Sequence, residues 1–420
     1  MKKLFITMSF GIALGFGVIL SGCTSVNEPD EIIPNERKDI ILDATTRSAA
    51  DNLKDFYLQF TTDAVKYADS QADIDNVIVS PVSVAMLLSM VANGVEADIQ
   101  KEITDYLGVT DLSALNNLSK ILLTELPTMD NQTQFGLSNS IWVNNTYSTL
   151  TPSYSNLMVS NYLADVKYEK FNDDANLLKK FNKWCSDKTD GQIKTMPAQV
   201  SSNHIAILLN AMKFKGVWQE NTFSKENTAK GTFHGSKGIN EVDMMYAPRK
   251  ERYYVADDKF ELFHLIFGNS AFSMTVVLPN ENISLSEANE IFTAQEFFKL
   301  KEEASLCNLD VYLPKFKIDT KLNLDDVLGS GRLSGLLGEL SFNMFEPTQT
   351  GIIKFNQAAS LDIDETGAKS AAVSSGEIIF TSPGIIHRDE YTIKVDRPFY
   401  FFIQEGTTGT CILSGRISDL

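Results

Sequence analysis

Residues 361–381 read LDIDETGAKSAAVSSGEIIFT, and the fold turns on whether this stretch is a linker or a strand without a partner. Leu361 and Ile363 alternate with Asp362 and Asp364, the period-two pattern of a half-buried strand. Gly367 then supplies a hinge that tolerates backbone angles other residues avoid. Beyond the hinge, Ala368, Ser370, Ala372, Ser374 and Gly376 share one face of an extended chain, and Lys369, Ala371, Val373, Ser375 and Glu377 share the other. The first face is small enough to enter a crowded sheet without overpacking it. No proline interrupts the run before Pro383, so every backbone N–H from Gly367 to Ser382 is free to join a ladder. A flexible linker would not carry strand periodicity into the apolar Ile378-Ile379-Phe380.

On either side of this stretch, helices and strands interleave. Tyr391 to Val395, Phe399 to Gln404 and Cys411 to Ile417 are predicted as short strands, separated by Asp396-Arg397-Pro398 and Gly406-Thr407-Thr408-Gly409. They are expected to form a second, antiparallel sheet. Upstream, Ser138 to Asn144, Ile205 to Phe214, Phe272 to Leu278 and Leu309 to Ile318 read as long strands, several too apolar for a sheet with one wet face. Asp51 to Ala68 places Leu53, Phe56, Tyr57, Phe60, Ala64 and Tyr67 at helical spacing. Ser80-Pro81-Val82-Ser83 opens a second helix over Val84 to Asn93, with Pro81 suited to a first turn. The pattern predicts an α+β fold: a large central sheet covered by helices.

The N-terminus carries its own signal. Lys2 and Lys3 precede an apolar run from about Phe5 to Leu20, which ends in Leu20-Ser21-Gly22-Cys23. This is the pattern of a lipoprotein signal peptide over 1–22, with Cys23 as the acylated first residue of the mature chain. Thr24 stands where an aspartate would mark inner-membrane retention, so an outer-membrane or cell-surface lipoprotein of a Gram-negative bacterium is expected. Residues 23–48 are polar and contain Pro29 and Pro34, and read as a tether. Residues 49–420 read as one domain, because no linker rich in glycine, proline or serine divides them and no repeat recurs at a fixed period.

Composition excludes several functions. The formal charge of −17 becomes −19 once Lys2 and Lys3 leave with the signal, and the only basic cluster, Arg249-Lys250-Glu251-Arg252, is broken by an acid. Nucleic acids and sulfated polysaccharides are therefore poor partners. With Cys23 acylated, Cys185, Cys307 and Cys411 remain, an odd number that excludes a full disulfide framework. Cys185 and Cys411 sit in apolar patterns and read as buried thiols. The histidines at 204, 234, 264 and 387 are scattered, and no metal-binding spacing or cofactor motif occurs. No serine has a lysine three residues on, and G-x-S-x-G, H-E-x-x-H and P-loop patterns are absent, so the chain is not read as an enzyme. Ser186-Asp187-Lys188 and Thr189-Asp190-Gly191 are read together as a turn after a helix.

Several segments, in order, resemble the serpin family from about Asp51 to Leu420. Asn76-Val77-Ile78-Val79-Ser80-Pro81-Val82-Ser83 is similar to the family's N-I-F-[IF]-S-P-x-S, with Met90-Val91-Ala92-Asn93-Gly94 at the right distance. Asn210 with Phe214-Lys215-Gly216-Val217-Trp218 resembles N-x-x-x-F-K-G-x-W, and Leu313-Pro314-Lys315-Phe316 resembles L-P-K-F. Asp364-Glu365-Thr366-Gly367 with the following alanines resembles the reactive-loop hinge, and Val395-Asp396-Arg397-Pro398-Phe399 the family's late turn. The chain departs from the pattern at Asn356-Gln357, where many members carry a histidine near the sheet opening, and at Ala368, where threonine or serine is commoner.

The resemblance implies a serpin fold: a large central mixed sheet, further antiparallel sheets, about eight to nine helices and an exposed reactive loop. It implies a monomeric suicide inhibitor of serine, or papain-like cysteine, proteases, in which the cleaved loop inserts into the central sheet before the acyl-enzyme is hydrolysed. The hinge would comprise Glu365, Thr366, Gly367, Ala368, Lys369, Ser370, Ala371 and Ala372, and the sheet-opening region Ser80, Ser83, Asn210 and Trp218. Family spacing from Gly367 places the scissile bond at Thr381-Ser382, with Phe380-Thr381 as the alternative. Thr381 favours an elastase-like target and Phe380 a chymotrypsin-like one. Ser382-Pro383 is a poor bond because proline lacks the amide N–H, and Arg388 lies too far along to be the bait. An inserted strand from Gly367 to Thr381 would run roughly 50 Å. A non-inhibitory member acting as a binding lipoprotein is the alternative function.

Overall fold

The computed structural model describes residues 34–71, 73–196, 200–329, 333, 335–352, 355–368 and 388–420. These residues form an α+β body with nine α-helices and 19 strands among them. The chain enters it earlier than the sequence implies. Asn35 is bonded to Met129, Asn131 and Asn269, and the first helix, Ala44–Asp69, begins seven residues before the expected Asp51. Asp43 caps that helix by accepting from the Thr46 N–H. The expected tether over 23–48 therefore includes docked chain. The sequence hid this because the first two turns of the helix bury small residues, Thr46, Ala49 and Ala50, which carry no apolar stripe.

The helix Pro81–Ala92 has Pro81 in its first turn and is buried along its whole length. It runs behind the central sheet, where an all-round apolar helix is satisfied. In front of the sheet lies Asp174–Lys188, with Phe181 packed edge-on against Trp142 at 4.9 Å. That helix takes in Ser186-Asp187-Lys188, expected as part of the turn, and the turn itself falls at Asp190 and Gly191, both with positive φ. Cys185, Cys307 and Cys411 are all buried free thiols.

A nine-stranded mixed sheet forms the rear of the body. The C-terminal strands Phe399–Glu405 and Cys411–Ile417 belong to it rather than forming a sheet apart from it as expected: Phe399–Glu405 pairs with Phe272–Pro279 on one side and with Cys411–Ile417 on the other. The stretch expected as one strand from Leu309 to Ile318 is two. Ser305–Pro314 lies in the nine-stranded sheet, and Phe316–Asn323 crosses into the central one after Lys315. The alternation slips by one residue between them, from Cys307, Leu309, Val311 and Leu313 to Phe316, Thr320 and Leu322, and the slip falls at Pro314-Lys315, where the chain changes sheet.

The central sheet is in two halves. Asp165–Glu169, Gln134–Asn144 and Ala206–Lys215 form one; Phe316–Asn323, Asn356–Asp364 and the short Gly367–Ala368 form the other. Among the described residues no ladder joins Ala206–Lys215 to Asn356–Asp364, and a single bridge, Val217 to Gly367, spans the halves.

Candidate functional site: the sheet opening and the loop hinge

Leu361 and Ile363 are buried while Asp362 and Asp364 are half-buried, as the alternation predicts. The chain then reverses. Asp364 accepts from the Thr366 N–H at 2.8 Å, closing a tight turn. Gly367 and Ala368 fold back to pair with Asp364 and Ile363. Gly367 has φ +117°, and a Cβ there would lie 2.1 Å from the Gly216 carbonyl oxygen, so only glycine fits.

Trp218, 2% exposed, holds this hairpin from the other half of the sheet. Its indole N–H donates to the Asp364 carbonyl at 2.9 Å and its backbone N–H to the Thr366 carbonyl at 3.1 Å. The ring stacks on Phe267 with centroids 4.3 Å apart. Glu365, 6% exposed, meets the Lys315 ammonium at 2.6 Å and accepts from the Thr228 hydroxyl at 2.6 Å. Burial pushes its carboxyl up, but the bonds from Lys315 and Thr228 outweigh that and hold it below the ordinary glutamate range.

Below the hairpin the two halves of the sheet frame a cleft of about 710 Å³, lined by Phe214 and Lys215 on one side and by Ala358, Ala359 and Ser360 on the other. Residues 190–195, which follow the covering helix, form its outer wall. Two facing strand edges with no ladder between them offer N–H and C=O groups to a further strand. Gly367–Ala368 pairs antiparallel with Asn356–Asp364, and Val217, just past the end of the other edge, bridges Gly367 in the same antiparallel sense.

The far end of the loop is also tied down near this opening. Arg388 meets Glu251 at 2.6 Å, and Glu390–Lys394 pairs in parallel with Ser305–Pro314. Lys250, next to Glu251, meets Glu220 at 2.5 Å, two residues after Trp218. Arg388 is thus tied to the body.

The residues expected at the opening do not form one cluster. Trp218 and the hinge residues Glu365, Thr366, Gly367 and Ala368 come together. Ser80 and Ser83 lie behind the middle of the sheet with their hydroxyls 2.8 Å apart. Asn210 donates to Asn139 at 2.8 Å, and its own side-chain oxygen is buried with no partner. Lys369, Ser370, Ala371, Ala372, Phe380, Thr381, Ser382 and Cys23 lie outside the described residues.

Gln357, conspicuous only as a departure from the family pattern, exchanges two bonds of 3.0 Å with the Ser80 backbone, one from the Ser80 N–H and one to its carbonyl. Thr228 and Phe267 were missed, since nothing in a lone threonine or phenylalanine marks a partner far along the chain. Lys315 was legible only as part of L-P-K-F.

The family profile described as Serpin (serine protease inhibitor) matches residues 57–420. A protein named serine protease inhibitor from Cyanea capillata is 28% identical over 368 residues, covering 82% of this chain and 92% of that protein. Leukocyte elastase inhibitor A of Rattus norvegicus is 27% identical, covering 81% and 92%. Among solved structures, the thermophilic serpin tengpin in its native state superposes with a TM-score of 0.77 at 23% identity, covering 92% of this chain and 97% of tengpin. Human thyroxine-binding globulin reaches 0.77 at 20% identity, covering 90% and 99%. At these identities the two structures speak for the fold alone.

Proposed function

The chain belongs to the serpin family, and on that premise we propose that it inhibits serine proteases as a suicide substrate. The protease serine adds to the Thr381 carbonyl, the Thr381-Ser382 bond breaks, and the Ser382 amine leaves with the proton. The ester-linked loop then enters the cleft between Ala206–Lys215 and Asn356–Asp364 before water can attack the ester.

One observation carries this reading: Gly367 and Ala368 are already paired antiparallel to Asn356–Asp364, with Gly367 bridged to Val217 across the mouth of the gap. The small side chains of Ala358, Ala359 and Ser360 at the cleft wall leave room for it. The elastase inhibitor among the relatives supports an elastase-like target, with chymotrypsin-like and papain-like cysteine proteases as further candidates. We further propose that the protein acts as a monomer, exported and held by an acyl chain on Cys23 at the outer membrane or cell surface.

Incubation with pancreatic elastase tests the function. A covalent complex that survives boiling in SDS supports it; cleavage with no complex would mean a member that binds without inhibiting.

A further inference from the structure

All four polar groups of Asn35 are engaged with partners far along the chain. Its backbone N–H donates to the Asn131 side chain at 3.2 Å, and its side-chain oxygen accepts from the Asn131 backbone N–H at 2.8 Å. Its side-chain amide donates to the Met129 carbonyl at 3.0 Å, and its own carbonyl accepts from the Asn269 side chain at 3.2 Å. Asn269 closes the knot by donating to the Met129 carbonyl at 2.8 Å. Two connections that belong to different sheets are thereby tied to each other. One, 129–131, leads into Gln134–Asn144 of the central sheet; the other, 268–270, joins Phe260–Phe267 to Phe272–Pro279 in the nine-stranded sheet.

The second connection meets the mouth of the gap. Ser270 has φ +73°, a conformation that residues other than glycine hold only where the surroundings over-determine it. A Cβ on Gly268 would lie 1.9 Å from the Asp130 carboxylate, so 129–131 also packs directly against this turn. On the side facing the gap, the Gly268 N–H donates to the Val217 carbonyl at 2.8 Å, and the Ser270 hydroxyl accepts from the Gln219 side chain at 2.9 Å. Between them Trp218 bridges Phe267 and donates its N–H to the Thr366 carbonyl, while Val217 bridges Gly367. A continuous run of bonds therefore leads from Asn35 through the 268–270 turn to the hinge.

We propose that Asn35 is a positioning residue for loop insertion: it fixes the 268–270 turn, which holds Val217 and so sets the hinge Gly367 at the mouth of the gap. A misplaced hinge slows entry of the cleaved loop and leaves the acyl-enzyme longer to hydrolyse. The bonds between Asn35 and Asn131 are exposed, so water can replace them and the loss acts on the turn rather than on the whole body. The proposal rests on the inhibitory reading above.

The test uses the full-length protein and two readouts. In amide hydrogen exchange, Asn35→Ala should speed exchange of the Trp218 and Gly268 N–H groups by about tenfold. The Gln134–Asn144 ladder should keep its protection, and the melting temperature should fall by no more than about 2 °C. Incubated with pancreatic elastase, the variant should shift severalfold from covalent complex toward cleaved product. Asn35→Asp, which keeps the acceptor for Asn131 and loses the donor to Met129, should fall between Asn35→Ala and wild type. Unchanged exchange at Trp218 and Gly268, or faster exchange there with unaltered partitioning, overturns the proposal. Protection lost evenly over the whole body also overturns it, since Asn35 would then be merely structural. Absence of any complex from the wild-type protein would overturn the inhibitory reading and this one with it, an outcome told apart because the exchange measurement needs no protease.

Discussion

Gly367 lies so close to Gly216 that a methyl group on it would collide with the Gly216 carbonyl oxygen, and its φ of +117° is one that other residues rarely adopt. Two glycines from opposite halves of the sheet thus close the mouth of the cleft. Gly367→Ala should break the Val217 bridge and misplace Ala368, with a cost of about 2 kcal/mol or more from strain and clash. The checks are a lowered melting temperature and a partition ratio with elastase shifted several-fold from complex toward cleaved product. A variant that partitions like wild type would contradict the seeding role of the hairpin.

Glu365 gives the opening a pH dependence. Its carboxyl is held below the ordinary glutamate value by Lys315 and Thr228 against the upward push of burial. A depressed folded value contributes stability that is present above the unfolded value of about 4.3 and is lost as pH falls through the folded one. Glu365→Gln, which leaves Lys315 without its partner, should cost about 1–3 kcal/mol at neutral pH, discounted because Lys315 is partly exposed. Melting curves of the two proteins should therefore diverge at pH 7 and converge as the pH falls below the ordinary glutamate range. A gap that stays constant with pH would contradict the assignment.

Gln357 ties the strand Asn356–Asp364 to the start of the buried helix through two bonds to Ser80. Gln357→Leu strands both Ser80 backbone groups in a buried site, at about 1–3 kcal/mol. A melting temperature lower by a few degrees is expected, and a neutral result would show that the strand is held by its ladder alone.

Much of this was legible in the sequence, for reasons that vary by residue. The alternation through Leu361 and Ile363 and the glycine at 367 express local rules, period and permitted φ, and both stand in the structure. Ala44 to Ala50 were unreadable as helix because small buried residues leave no apolar stripe. The crossing from one sheet to another at Lys315 is marked in the sequence only by a one-residue slip in the alternation, between Leu313 and Phe316, which a single strand from Leu309 to Ile318 passes over. The grip of Thr228 on Glu365 and the stacking of Phe267 under Trp218 join residues far apart in the chain, where no spacing rule applies. Gln357 could be singled out but its partner could not, since a backbone amide has no sequence signature.

The bait bond is expected at Thr381-Ser382. Intact mass measurement of the C-terminal fragment formed with elastase should give a chain beginning at Ser382, or at Thr381 if Phe380-Thr381 is cut. A chain beginning at Asp389 would require Arg388 to leave its pairing with Glu251 and would contradict the spacing argument.

Insertion of the loop between Ala206–Lys215 and Asn356–Asp364 is the central claim, and hydrogen exchange along those two strands tests it most directly. In the intact protein the N–H groups facing the gap should exchange readily. After cleavage by elastase they should be paired to the inserted loop and slow by about tenfold or more. Unchanged exchange along both edges, in a protein whose loop has been cut, would contradict the account.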